Sequence, residues 1–135
     1  MQEQEIIEMT AGLKARRAKG LQDPRFARTP LRMLWENIDN SRKPTIAAIN
    51  GYCLAGGMQT ASRCDMRIAT KKSKFGMPEA RRALAAVGTE DTPELFVPAG
   101  EAAWILLTGA HMPAERAYQV GYVQQLVEDR AELVK

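Results

Sequence analysis

Residues 43–70 read KPTIAAINGYCLAGGMQTASRCDMRIAT. The run from Thr45 to Ile49 is short, apolar and led by Pro44, the pattern of a strand buried on both faces. A glycine turn follows, then a stretch from about Gly57 to Arg63 suited to a helix, then a second apolar run, Met66 to Thr70. Strand, tight turn, helix and strand in that order predict a βαβ unit, and therefore a parallel sheet.

The glycines in this stretch exclude two phosphate-binding readings. Gly51 and Gly56 have the spacing of a P-loop, but Gly57 and Met58 stand where that loop needs its lysine and hydroxyl. Gly51-Tyr52-Cys53 breaks a dinucleotide fingerprint at its third position. What remains is a strand that delivers Gly56 and Gly57 to a helix N-terminus. Backbone N–H groups there lack intrahelical acceptors and lie at the positive end of the helix dipole. Bare backbone of this kind can stabilise a developing oxyanion. Close packing of a helix on a sheet asks for the same small residues. Spacing alone leaves both readings open.

On the N-terminal side, residues 3–19 predict a helix. Ile6, Met9 and Leu13 share a face, basic Lys14, Arg16, Arg17 and Lys19 fall in the later turns, and Gly20 stops it. A second helix runs through LRMLWENIDNS, with Leu31, Leu34, Trp35 and Ile38 as its apolar stripe and Trp35 as a core residue. On the C-terminal side, residues 71–88 read as loop-rich, and Pro78 blocks a continuous helix. The last third predicts a helix ending at Gly109, a short helix opened by Pro113 and stopped at Gly121, the strand YVQQLV, and the start of a further helix.

Composition limits the function classes. The chain has 135 residues, 45% of them hydrophobic, enough for one small domain with a core. A formal charge of +3 permits an anionic ligand without requiring nucleic acid. Two cysteines and one histidine make neither a disulfide scaffold nor a zinc site, so Cys53 and Cys64 read as buried fillers in a reducing, cytoplasm-like compartment. His111 reads as structural or exposed. No apolar run approaches the roughly 18–20 residues of a membrane helix, and the acidic start MQEQEIIEMT is unlike a secretory signal.

The stretch 43–70, followed by KFGMPEA at 74–80, resembles the central signature of the crotonase, or enoyl-CoA hydratase/isomerase, superfamily. The segment LLTGAHMPAERAYQVGYVQQLV at 106–127 resembles the same family's downstream helix–helix–strand. The resemblance implies an α/β fold, a partial crotonase-like spiral core with βαβ units and surrounding helices. It divides the chain into a helical segment 1–42, a core 43–127, and the start of a truncated helical region at 128–135. It implies an acyl-CoA thioester as ligand, with coenzyme A entering as part of the substrate and no other cofactor or metal. The partners it implies are copies of the same chain, as a trimer or hexamer, with neither nucleic acid nor membrane.

By the same resemblance, Gly56 matches the glycine whose N–H is one oxyanion donor, and Glu79 matches a proton-transferring glutamate. Ala55, Gly57, Pro78 and Gly88 would line the substrate site. Three departures qualify the expectation. Gln59 stands where hydratases carry a second glutamate; a glutamine cannot shuttle a proton, which favours isomerisation over hydration. Nothing before Lys43 resembles the upstream Ala-Gly-x-Asp segment that supplies the family's other donor. Glu90 and Asp91 sit near the expected pocket mouth, either as a solvated turn or as a second acid. The sequence therefore predicts an enzyme of the hydratase/isomerase type or, alternatively, an inactive homologue that retains CoA binding or an oligomer-forming role.

Overall fold

The structure, a computed structural model, describes residues 30–84 and 97–134. The helix expected over 3–19, with its basic run, lies outside the described residues, as do Gly88, Glu90 and Asp91. The chain divides into two units, Met1–Leu34 and Trp35–Lys135; the site lies in the second.

Pro30 opens helix α1, Pro30–Asp39, at the position where its missing N–H costs nothing. Strand β1, Ile46–Ile49, follows, then β2, Tyr52–Leu54, and helix α2, Gly56–Arg63. Strand β3 is Met66–Thr70 and β4 is Lys74–Gly76; a 3₁₀ turn occupies Pro78–Arg82. Helix α3 is Ala99–Thr108, β5 Met112–Pro113, α4 Ala114–Gln119, β6 Gln125–Val127 and α5 Arg130–Leu133.

The strands form two sheets of three. In the first, β3 lies between β1 and β6 and pairs parallel with both, with Ile46 beside Met66 and Ile68 beside Gln125. The predicted parallel unit is therefore present, with one correction: the glycine turn leads not to the helix but to β2, which belongs to the second sheet. Gly51 makes that switch. Its φ of +104° disfavours any side chain, although the space around it is open. Ser73 fastens the switch from across the sheet, its hydroxyl donating to Ile49 O and accepting from Gly51 N–H, both at 3.1 Å.

The second sheet has β4 in the middle, parallel to β2 and antiparallel to β5. The loop-rich reading of 71–88 did not include β4, and the reading of a helix opened by Pro113 did not include β5. At three and two residues they are too short to show a period, and they exist because Phe75 pairs with Cys53 on one side and Met112 on the other.

Two-sided burial of the first strand is also corrected. Only Ile49 of β1 is buried, and Ile46 is 52% exposed. Among the described residues β1 is an edge strand, with β3 as its one neighbour in the sheet. Trp35 is half-buried and lies outside the core cluster, because its indole is engaged at the flank of α2. The core is built from Met58 and Ala61 of α2, Ala69 of β3, Phe75 of β4, Ile105 of α3, Ala117 of α4 and Tyr122. Phe75 meets Tyr122 edge to face at 5.3 Å. The expected helix stops hold: Gly109 ends α3 with φ +63° and donates to Ile105 O, and Gly121, with φ +82°, follows α4.

Candidate functional site

The two parallel strands of the second sheet end together. Their last pair is Leu54 beside Gly76, and the next amide, Ala55 N–H, donates to Gly76 O at 2.9 Å. Beyond that point β2 runs into Gly56 two residues on, and β4 runs into Glu79 three residues on. Carboxyl ends of adjacent parallel strands are where α/β folds present ligand-binding loops. Tertiary pairing thus brings a glycine-led helix start and a carboxylate to one end of one sheet.

Ala55 sets the helix start. Its φ of 51° and ψ of −126° are those of the first central residue of a type II′ turn, a conformation that favours glycine. Holding a side-chain-bearing residue there costs about 1–3 kcal/mol, and such strain persists only where the surroundings enforce it. Here Gly76 holds the Ala55 N–H, and Ala55 O accepts from Gln59 N–H at 3.0 Å. No side chain caps α2 at this end. Its leading amides lack intrahelical acceptors. A Cβ added to Gly57 would meet nothing within 4 Å, so close packing does not explain that glycine. The tightly packed glycine is Gly76, where a Cβ would lie 3.0 Å from Ala110 O and 3.2 Å from the His111 ring.

Gln59 falls three residues after Gly56, on the same face of α2, and is buried. Glu79 follows Pro78 in the first turn of the 3₁₀ segment and is half-buried. Its Oε2 is fully buried and, among the described residues, has no hydrogen-bond partner. A buried polar atom left unpaired costs about 1–3 kcal/mol and calls for a reason. The turn that carries it is fixed: Leu84 N–H donates to Glu79 O at 3.1 Å, and the Arg81 stem packs against Gly109.

Burial pushes the Cys53 thiol up to about 11, with a smaller contribution from Cys64, so it stays protonated and is a poor nucleophile at neutral pH. Cys64 is only half-buried, not a fully buried filler; both thiols are free. His111 is exposed and meets Tyr52 edge to face at 5.9 Å. Among the described residues no cluster of three His, Cys, Asp or Glu could hold a metal. No helix among them is long and apolar enough to cross a membrane.

The sequence reading missed the residues that fix the other end of α2. Arg67, buried in β3, donates from Nη1 to Cys64 O at 2.9 Å and Ala61 O at 3.3 Å, and from Nε to Tyr122 O. Its guanidinium lies 5.0 Å from the Tyr122 ring centroid. The Tyr122 hydroxyl donates to Met58 O at 3.2 Å and shares a 2.9 Å hydrogen bond with Ser62. A cation inside the otherwise apolar run MRIAT was the one signal available.

Parallel strands wound through short helices, ending at a bare glycine turn beside a carboxylate, give this chain an α/β fold of the crotonase type. The sequence profile of enoyl-CoA hydratase/isomerase matches residues 9–135. The chain is 45% identical over 91 residues to an (E)-benzylidenesuccinyl-CoA hydratase of Thauera aromatica, covering 66% of this chain and 35% of that protein. It is 39% identical over 93 residues to a crotonyl-CoA hydratase of Syntrophomonas wolfei, covering 67% of this chain and 35% of that one. Among solved structures, an enoyl-CoA hydratase from Mycobacterium tuberculosis superposes with a TM-score of 0.63 at 42% identity, over 68% of this chain and 37% of its own. Human enoyl Coenzyme A hydratase domain-containing protein 3 superposes with a TM-score of 0.70 at 29% identity, over 77% of this chain and 41% of its own. The chain belongs to the enoyl-CoA hydratase/isomerase family. It spans about a third of the length of the curated relatives it matches.

Proposed function

We propose that this chain acts on an acyl-CoA thioester and stabilises an enolate formed from it, with isomerisation favoured over hydration. One observation carries the reading: the Leu54–Gly76 pairing, beyond which lie the uncapped start of α2 and the Glu79 carboxylate, whose Oε2 has no partner among the described residues. The names of the two relatives above, a benzylidenesuccinyl-CoA hydratase and a crotonyl-CoA hydratase, support the substrate class.

The chemistry follows from the residues. A thioester acidifies its α-carbon, and its carbonyl oxygen gains charge as the proton leaves. The Gly56 N–H donates to that oxygen, where an uncapped amide is worth most. Ala55 and Gly57 keep side chains away from the approach, and Pro78 fixes the turn that presents Glu79. Glu79 removes a proton and returns it elsewhere on the acyl chain. Gln59 hydrogen-bonds but carries no proton, so a second acid–base group is missing and water addition is disfavoured. Gly88 belongs to the same reading as a loop residue of the substrate site. Coenzyme A enters with the substrate and no other cofactor is needed. We place the chain in the cytoplasm as a homo-oligomer, a trimer or hexamer.

The test is calorimetric titration with crotonyl-CoA and acetoacetyl-CoA, paired with hydratase and isomerase assays on the same samples. The expected result is binding of both, isomerase turnover above hydration, and a loss of about 10²–10⁴-fold in Glu79→Gln. Binding without any turnover would support the second reading, an inactive CoA-binding homologue, which Gln59 favours. Absence of binding would reject both.

A further inference from the structure

Thr60 lies one turn into α2, and its hydroxyl oxygen takes part in two short hydrogen bonds. The Trp35 indole Nε1–H donates to Thr60 Oγ1 at 2.8 Å, and Thr60 Oγ1 donates to Gly56 O at 2.7 Å. Chemistry fixes the direction of both. An indole N–H only donates, a carbonyl only accepts, and a hydroxyl has a single hydrogen. The order is therefore Trp35 to Thr60 to Gly56, with no second arrangement. The Trp35 ring is itself held: the Arg63 guanidinium lies 4.8 Å from its centroid and pairs with Asp39, one turn further along α1.

The carbonyl at the end of this relay belongs to the peptide between Gly56 and Gly57. Two successive glycines are the most mobile backbone a helix start can have, and the relay anchors the peptide that joins them. Hydrogen bonds in series also polarise one another, by about 10–30% per bond. The N–H of the same peptide is the Gly57 amide, which lacks an intrahelical acceptor, and a side chain at Gly57 would meet nothing within 4 Å. A threonine bonded to the carbonyl four residues back is an ordinary helix feature that by itself tends to bend the helix. The second donor, 25 residues upstream, sets this one apart, because it holds the hydroxyl oxygen from the other side.

We infer that Trp35 and Thr60 are positioning residues, a relay that fixes the Gly56–Gly57 peptide at the start of α2 and thereby holds the adjoining Gly56 amide in the orientation in which it donates to an anionic oxygen. That the turn receives an anionic oxygen, a thioester enolate, rests on the acyl-CoA reading above; the relay itself does not.

The experiment uses the full chain, ¹⁵N-labelled, with Thr60→Val, Thr60→Ser and Trp35→Phe. Without any ligand, Thr60→Val should move the Gly57 amide proton upfield and quicken its hydrogen exchange several-fold, with Thr60→Ser restoring both. Trp35→Phe should move the same amide in the same direction; it also serves as the test if Thr60→Val fails to fold. In turnover, Thr60→Val should lower kcat about three- to tenfold with KM within twofold, and Thr60→Ser should rescue it. A Gly57 amide unmoved in a folded Thr60→Val, or a serine that fails to restore it, overturns the relay. Amide shifts as expected, with wild type that neither binds nor turns over the CoA thioesters, would leave the relay standing and remove the acyl-CoA reading instead.

Discussion

The two ends of α2 are built on opposite plans. At its C-terminal end the last carbonyls accept from a buried, permanently charged Arg67, and the Tyr122 hydroxyl beside it bonds Ser62 there and the Met58 carbonyl nearer the start. Asp65, just beyond, accepts from the Thr45 N–H at 2.7 Å and the Thr45 hydroxyl at 2.8 Å. At the N-terminal end Ala55 is strained, no side chain caps the helix, and Gly57 faces open space. The difference teaches where stability and reactivity are placed. A helix anchored firmly at one end can hold a strained, under-satisfied turn at the other, which a short helix on its own would not maintain.

The largest expected effect lies at the anchored end. Arg67→Met removes charged hydrogen bonds to buried carbonyls, each contributing about 1.5–3 kcal/mol, so denaturant unfolding should show a loss of about 3 kcal/mol or more. A loss under 1 kcal/mol would mean that packing alone, not the guanidinium, holds this end. The opposite sign is expected at the open end. Ala55→Gly should relieve backbone strain and raise stability by about 1 kcal/mol, after the entropy cost of an added glycine. Destabilisation there would show that the turn is relaxed as it stands and that the contrast between the ends is false.

The smallest effect is electrostatic. The Thr45 hydrogen bonds hold the Asp65 carboxyl below its ordinary 3.8, the backbone bond contributing most. A depressed folded-state value contributes stability above that ordinary value and loses it as the pH falls through the folded one. Melting temperatures of wild type and Asp65→Asn should therefore differ modestly at pH 7 and converge as the pH drops below about 3.8. A gap that stays constant down to pH 2.5 would assign the effect to geometry rather than charge.

Elements with a strong local signal were legible in the sequence. The runs around Ile46–Ile49 and Met66–Thr70 read as strands because their composition and flanking turns suffice, and α3 and α4 end where glycine permits a positive φ. Gly56 and Glu79 were marked by resemblance, not by local physics. Local reasoning left Glu79 indistinguishable from any loop acid after a proline, since nothing in a linear chain shows that a carboxylate oxygen will be buried without a partner. Trp35 had the right spacing for a core residue, yet its polar edge found Thr60 and kept it outside the cluster. Arg67 drew no assignment from the sequence, because its role rests on carbonyl acceptors that only the fold supplies.

By itself the sequence determined the parallel unit, the helix stops and the glycine pair at the start of α2, because these depend on periodicity and on which φ values a residue allows. Tertiary structure alone decided the second sheet, the edge position of β1, the buried Arg67–Tyr122 anchor and the placing of Gly56 and Glu79 beyond one sheet end. Strands of two or three residues have no intrinsic stability and form only through their partners. A site drawn from two strand ends exists only once those strands are paired.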